Sequence, residues 1–164
     1  MSNPTNLRRI INESKKLKAD ENDNLVYFKV SQVGDNMYHW EGQVYGPIDS
    51  LYQDYGYKVD IELPADYPQS ALKIKFITPM QHVNVNKDGN ICMDILKDKW
   101  TSTQCISSIL ISLASLLRDP NTTDPFNPDL ADLYEKDKKE YEKKIRSCCK
   151  KHGIPHKTKQ IVSI

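Results

Sequence analysis

The period of apolar residues along this chain of 164 residues switches from helical to alternating and back again. Leu7, Ile10, Ile11 and Leu17 recur at helical steps while Arg8, Arg9, Lys15 and Lys16 take the other faces, which predicts an amphipathic opening helix. Asn3 and Pro4 in front of it suit an N-cap and a first-turn position. After a polar break from Asp20 to Asn24 come four runs rich in aromatic and β-branched residues: Val26 to Val33, Tyr38 to Val44, Tyr55 to Leu63 and Leu72 to Ile77. In the third run Tyr55, Tyr57, Val59, Ile61 and Leu63 alternate strictly with Gly56, Lys58, Asp60 and Glu62, the period of a half-buried strand. The connections at Gly34 to Asn36, Gly46 to Ser50 and Pro64 to Pro68 are short and made of turn formers, so neighbouring runs pair antiparallel as a meander. Tyr38 and Trp40 share one face of the second run and are expected to pack on the sheet.

The helical period returns with Ile106, Ile109, Leu110, Leu113, Leu116 and Leu117, which predicts the most buried helix of the chain, with Thr101 or Ser102 as its cap. Pro120 ends it at Asp119, because the residue before a proline is pushed out of helical dihedrals. Asn127 and Pro128 open a further helix whose inner face carries Leu130, Leu133 and Tyr134. A charged final helix runs through Tyr141 and Ile145 to Gly153. Residues 154–164 show no trustworthy pattern and are expected to form a short flexible C-terminal tail. One helix, a four-stranded antiparallel meander, a polar loop and three helices make an α+β domain, with residues 1–153 as its core.

A chain of this length is of single-domain size, burying about two-thirds of the surface that its unfolded form exposes. Lys and Arg total 23 against 22 Asp and Glu, a net charge of +1, so nothing steers the chain toward phosphate backbones and no nucleic-acid partner is expected. No apolar stretch approaches the roughly 20 residues that span a bilayer, and the residues from Met1 to Thr5 lack the layout of a secretory signal. A monomer in the cytoplasm and/or nucleus, without membrane attachment, is the expectation. The cysteines Cys92, Cys105, Cys148 and Cys149 are sparse and two are adjacent, so they read as reduced thiols. Cys148, Cys149, His152 and His156 invite a zinc site, but adjacent cysteines without a second Cys-x-x-Cys make poor tetrahedral ligands; no metal or cofactor is expected.

Between strands and buried helix lies Gln81 to Thr103, a polar, turn-rich loop of the kind that carries chemistry more often than packing. It sets Cys92 in a short alternating run, Ile91-Cys92-Met93-Asp94-Ile95. A free thiol is only slightly ionised at neutral pH, yet its thiolate is a strong nucleophile, and exchange with a thioester needs no dedicated base. No histidine lies in a hydrolase-like motif, and Asp94, two residues along an extended run, is expected beside Cys92, where it opposes thiolate formation. The residues alone leave Cys92 open as a half-buried structural cysteine or a nucleophile.

The series His82-Val83-Asn84, Gly89-Asn90-Ile91-Cys92-Met93-Asp94-Ile95-Leu96, Trp100, Leu116-Leu117-Arg118-Asp119-Pro120-Asn121 and Asp124-Pro125 occurs in one order, behind Tyr38-His39-Trp40, Gly46-Pro47 and Asp66-Tyr67-Pro68. At these spacings it resembles the ubiquitin-conjugating enzymes over roughly Leu7 to Gly153. The resemblance implies that family's fold and a transferase in which Cys92 accepts the C-terminal glycine of ubiquitin from an activating enzyme as a thioester. Cys92 then passes it to a substrate lysine or to a ligase. The resemblance also implies Asn84 as donor to the tetrahedral oxyanion, where one preorganised donor is worth about 3 kcal/mol, and Asp124 as the residue that orients the incoming lysine. His82 becomes an organiser of loop backbone. Ile111 and Ser115 match positions that hold ubiquitin in a closed arrangement, and Arg8 and Arg9 match a face that meets the activating enzyme. Without the family, Asn84 reads as a tie between loop backbones, a role that can coexist with the donor one, Asp124 as a turn former and the arginines as part of a surface helix packed by one stripe, while Ile111 is equally explained as core.

Some positions depart from the pattern. Val83 stands where the family has proline, which frees an N–H and changes unfolded-state entropy by about 0.4–1 kcal/mol. Thr101-Ser102-Thr103 follows Trp100 in place of Ser-Pro-Ala, and Gln69-Ser70-Ala71 follows Tyr67-Pro68 where an aromatic and further proline are usual. Both loops meet ligases in the family, so weak or altered ligase partners are expected. The span from Cys92 to Trp100 has no insertion, which resembles ubiquitin carriers more than the SUMO carrier. A carrier of another ubiquitin-like modifier, or a non-catalytic ubiquitin-binding adaptor, remains the alternative.

Overall fold

The computed structural model describes residues 3–20 and 27–157, so the expected strand start at Val26, the polar break from residue 21 onward and residues 158–164 lie outside the described residues. Helix α1 (Pro4–Asp20) opens with Thr5 N–H donating to Asn3 Oδ1 at 3.0 Å and buries Ile10 and Leu17. Strands β1 (Phe28–Val33), β2 (Asn36–Tyr45), β3 (Tyr55–Glu62) and β4 (Lys73–Phe76) pair antiparallel in chain order, the expected meander. Register aligns Trp40 with Ile61 and Ile61 with Ile74, and aligns Gly42 with Val59 and Val59 with Phe76, so one face of the sheet is continuous apolar surface. Trp40 is buried in that face with its Nε1–H satisfied by Met37 O at 2.9 Å, while Tyr38 is half-buried.

Helix α2 (Ile106–Arg118) buries Ile106, Ile109, Leu110 and Leu113 completely, each worth roughly 1.5–3 kcal/mol on folding. Its cap is neither Thr101 nor Ser102. Cys105 occupies the N-cap, where its N–H donates to Ser108 Oγ at 2.9 Å, and the first helical N–H, that of Ile106, donates to Glu13 Oε2 of α1 at 2.9 Å. A buried carboxylate from a distant helix wins over nearby hydroxyls because it meets both the unpaired N–H and the positive end of the helix dipole. Glu13 Oε1 in turn accepts from Arg9 Nε and from the Tyr67 hydroxyl, both at 2.7 Å, and the other Arg9 nitrogens donate to Ser102 O at 2.8 Å and Gln104 O at 2.6 Å.

Helices α3 (Pro128–Lys136) and α4 (Lys138–His152) are started by Asn127 and Asp137, whose side chains accept from Leu130 N and Glu140 N. Leu130, Tyr141, Ile145 and Cys149 join the core formed by α1, α2 and the sheet. Gly153 does end α4, but with φ −62° it adopts no left-handed cap; a Cβ there would lie 2.6 Å from the Tyr55 ring. Close approach to β3 is its reason. The expected tail is held at its beginning: Ile154–Pro155 form β5 against Tyr55 and Gly56, and the His156 ring stacks on Tyr45 with centroids 3.7 Å apart. Two residues are too few for a sequence pattern, and they pair because an edge is already there.

Candidate active site

The loop that carries Cys92 hangs on the edge of β4. Phe76 N–H donates to Gly89 O at 2.9 Å, and Gly89 has φ +85° with its backbone so close to Phe76 that a Cβ would lie 2.0 Å from the Phe76 oxygen. Only glycine fits there. Asn86 Oδ1 accepts from Asp88 N at 3.0 Å and Asn90 N at 2.9 Å, closing the turn, and Cys92 N–H donates to Asn84 O at 2.9 Å. The sulfur's position thus follows from main-chain bonds within its own loop.

His82 and Asn84 join this loop to the rest. His82 is fully buried; its Nδ1 accepts Asn84 N–H at 2.9 Å, which leaves the proton on Nε2 to donate to Leu116 O at 2.8 Å near the end of α2. Burial lowers its pKa to about 4, so at neutral pH it is uncharged with both ring nitrogens engaged, an organiser of backbone. Asn84 is also buried. Its Nδ2 donates to Asn121 O at 2.8 Å and to Asp124 O at 3.2 Å, and its Oδ1 accepts from Asn121 N at 2.8 Å. Both amide hydrogens are directed at carbonyls, so in this arrangement Asn84 ties the second loop down. Val83, buried as well, accepts Phe126 N and Asn127 N on its carbonyl at 2.8 and 2.9 Å.

Asp124, carried by that second loop, points its carboxylate at the sulfur: Cys92 Sγ donates to Asp124 Oδ2 at 3.5 Å. Lys97 Nζ also donates to Sγ, at 3.4 Å. Cys92 is 9% exposed, and both flanking side chains belong to exposed residues, so charged surface groups and not core close over the thiol. Asp94 is not the neighbour that an extended run predicts. The chain leaves the extended conformation at Met93 for a 3-10 turn, Asp94–Leu96, and the Asp94 side chain turns to Lys99 at 3.0 Å, whose hydrogen bond holds its pKa below the ordinary carboxylate value. That same turn brings Lys97 back to the sulfur. No motif marks Lys97, and its contact with the sulfur is invisible until the turn is seen.

The remaining expected positions separate. Ile111 is 53% exposed on α2, which rules out its reading as core, and Ser115, one turn further, is exposed on the same face. Arg8 is exposed, whereas Arg9 is tied to Glu13, Ser102 and Gln104 within the fold. Cys149 is buried with its sulfur 3.0 Å from the Tyr57 hydroxyl, Cys148 faces Pro79 O, and among the described residues no group of His, Cys, Asp or Glu gathers as a metal site.

One helix, a four-stranded meander, a loop that presents a thiol and three trailing helices define the ubiquitin-conjugating class of fold. The E2 domain of a Toxoplasma gondii ubiquitin conjugating enzyme superposes with a TM-score of 0.81 at 26% identity, covering 90% of this chain and 98% of that one. The H. polymorpha ubiquitin conjugating enzyme Pex4p, solved in complex with the soluble domain of Pex22p, gives 0.86 at 25% identity, covering 91% and 98%. In sequence, a probable ubiquitin-conjugating enzyme E2 of Acanthamoeba polyphaga mimivirus is 48% identical over 152 residues, 92% of this chain and 96% of its own. The family model for ubiquitin-conjugating enzyme matches residues 9–149, and the chain belongs to that family of transferases. No helix among the described residues is long and apolar enough to cross a membrane.

Proposed function

We propose that the protein carries ubiquitin as a thioester on Cys92 and delivers it to a lysine of a substrate or to a ligase, with residues 1–153 as the conjugating core. The observation that carries this reading is the thiol at the end of its loop with the Asp124 carboxylate 3.5 Å from Sγ. In the charging step the Cys92 thiolate attacks the thioester that an activating enzyme holds; in the transfer step an amine attacks the same carbonyl and Cys92 leaves. Asp124 stands where the arriving amine must come, and its carboxylate orients that amine. Asn84 and His82 are positioning residues, which hold Asp124 and Cys92 at a constant separation.

The exposed pair Ile111 and Ser115 is the surface for the carried ubiquitin, and Arg8 is the better candidate than Arg9 for the activating enzyme, because the Arg9 guanidinium is already spent inside the fold. Trp100 Nε1 donates to Pro68 O at 2.9 Å, so the two loops with altered residues lie side by side, and an unusual ligase preference follows from Gln69 and from Thr101 to Thr103.

The test is a charging reaction with activating enzyme, ATP and either ubiquitin or its close relatives. Wild type should form an adduct with ubiquitin that thiol reductant cleaves, Cys92→Ser an adduct that survives reductant, and Cys92→Ala none. Charging by a different modifier alone would make the protein that modifier's carrier. No adduct with any of them, from protein that still binds ubiquitin, would make it an adaptor.

A further inference from the structure

We propose that Lys97 is a further catalytic residue, the counter-ion that allows a carboxylate to stand beside the reacting sulfur. The proposal rests on Cys92 being the carrier thiol. Asp124 serves the amine, yet its carboxylate, 3.5 Å from Sγ, repels the negative charge that the sulfur carries twice, as it attacks and as it leaves. The Lys97 ammonium, 3.4 Å from Sγ, offsets it. Lys97 is available for this because the other nearby cation, Lys99, pairs with Asp94 at 3.0 Å, while among the described residues no carboxylate lies within salt-bridge distance of Lys97. The Phe126 ring, with Lys97 Nζ 5.6 Å from its centroid, supports the ammonium from the second loop. A cation and a thiol from one loop and an anion from a second are thus brought together.

In charging, the Cys92 thiol loses its proton to solvent and the sulfur attacks the carbonyl carbon of the incoming thioester. The Sγ–C bond forms, the donor's C–S bond breaks, and the donor sulfur leaves as a thiolate that takes a proton from water. In transfer, a C–N bond forms, the Sγ–C bond breaks, the amine proton passes to solvent, and Cys92 departs as a thiolate. Lys97 stabilises the sulfur's charge in both steps and keeps its own protons; nothing is oxidised or reduced.

The experiment measures initial charging rates at saturating activating enzyme for wild type, Lys97→Ala, Lys97→Arg, Lys97→Glu and the double variant Lys97→Ala/Asp124→Asn, with circular dichroism to verify folding. Lys97→Ala should charge about two- to fivefold more slowly, the scale of an exposed ion pair. Lys97→Glu should be slower again, and Lys97→Arg, which keeps the charge, should recover most of the rate. The decisive result is the double variant: with the carboxylate gone the counter-ion is superfluous, and charging should rise above that of Lys97→Ala. Lys97→Ala at the wild-type rate, or a double variant no faster than Lys97→Ala, would overturn the proposal. Failure of wild type itself to charge would instead overturn the reading of Cys92.

Discussion

Replacing Asn84 with alanine separates two roles that predict different numbers. The side chain makes three hydrogen bonds, two to the carbonyls of Asn121 and Asp124 and one from Asn121 N–H. A neutral hydrogen bond contributes about 0.5–1.5 kcal/mol net, and the exposed loop lets water recover part of the loss, so Asn84→Ala should cost about 2–3 kcal/mol of stability in urea unfolding. Asn84→Asp should cost more, since a carboxylate at this buried site faces two carbonyl oxygens to which it cannot donate. Charging should survive, because Cys92 N–H is held by the Asn84 main-chain oxygen, which both variants keep. Discharge to free lysine, measured in a single turnover of isolated charged protein, should fall along with stability as Asp124 loses its anchor. A variant within about 0.5 kcal/mol of wild type whose discharge nevertheless drops a hundredfold or more would refute this and restore the side chain as oxyanion donor.

Three further expectations concern stability. The folded pKa of His82, about 4, lies below the value of 6.5 for the unfolded chain, so between these values the unfolded state binds the extra proton and stability falls as pH falls. From pH 7 to pH 5 this amounts to about 2 kcal/mol, and urea midpoints for wild type and His82→Gln should converge over that interval. His39 has the opposite sign: its hydrogen bond to Asp60 raises its pKa, so its contribution is complete below pH 6.5 and fades only above it. Arg9→Ala should lower stability by about 2 kcal/mol through lost charged bonds to Glu13, Ser102 and Gln104, while Arg8→Ala should change it by under about 0.5 kcal/mol. Equal effects of the two substitutions in thermal unfolding would contradict the internal role of Arg9.

Alternation in the third strand run, the three- and four-residue steps from Ile106 to Leu117, and the asparagine–proline starts of α1 and α3 are local signals. They were enough for the element order, the antiparallel meander and the α+β class, and the spacing of motifs around Cys92 was enough for the family. What those patterns could not reach was decided by side chains meeting across the fold. Glu13 caps a helix 93 residues away, Asp124 meets a sulfur 32 residues earlier, and Asn84 spends its amide on a loop 37 residues on. Lys97 is close in sequence to Cys92 but reaches it only through the 3-10 turn that replaces the extended run. Periodicity reports which side of an element faces the core; it carries no information on which distant partner satisfies a polar group, because that choice is made by the geometry of the packed chain as a whole.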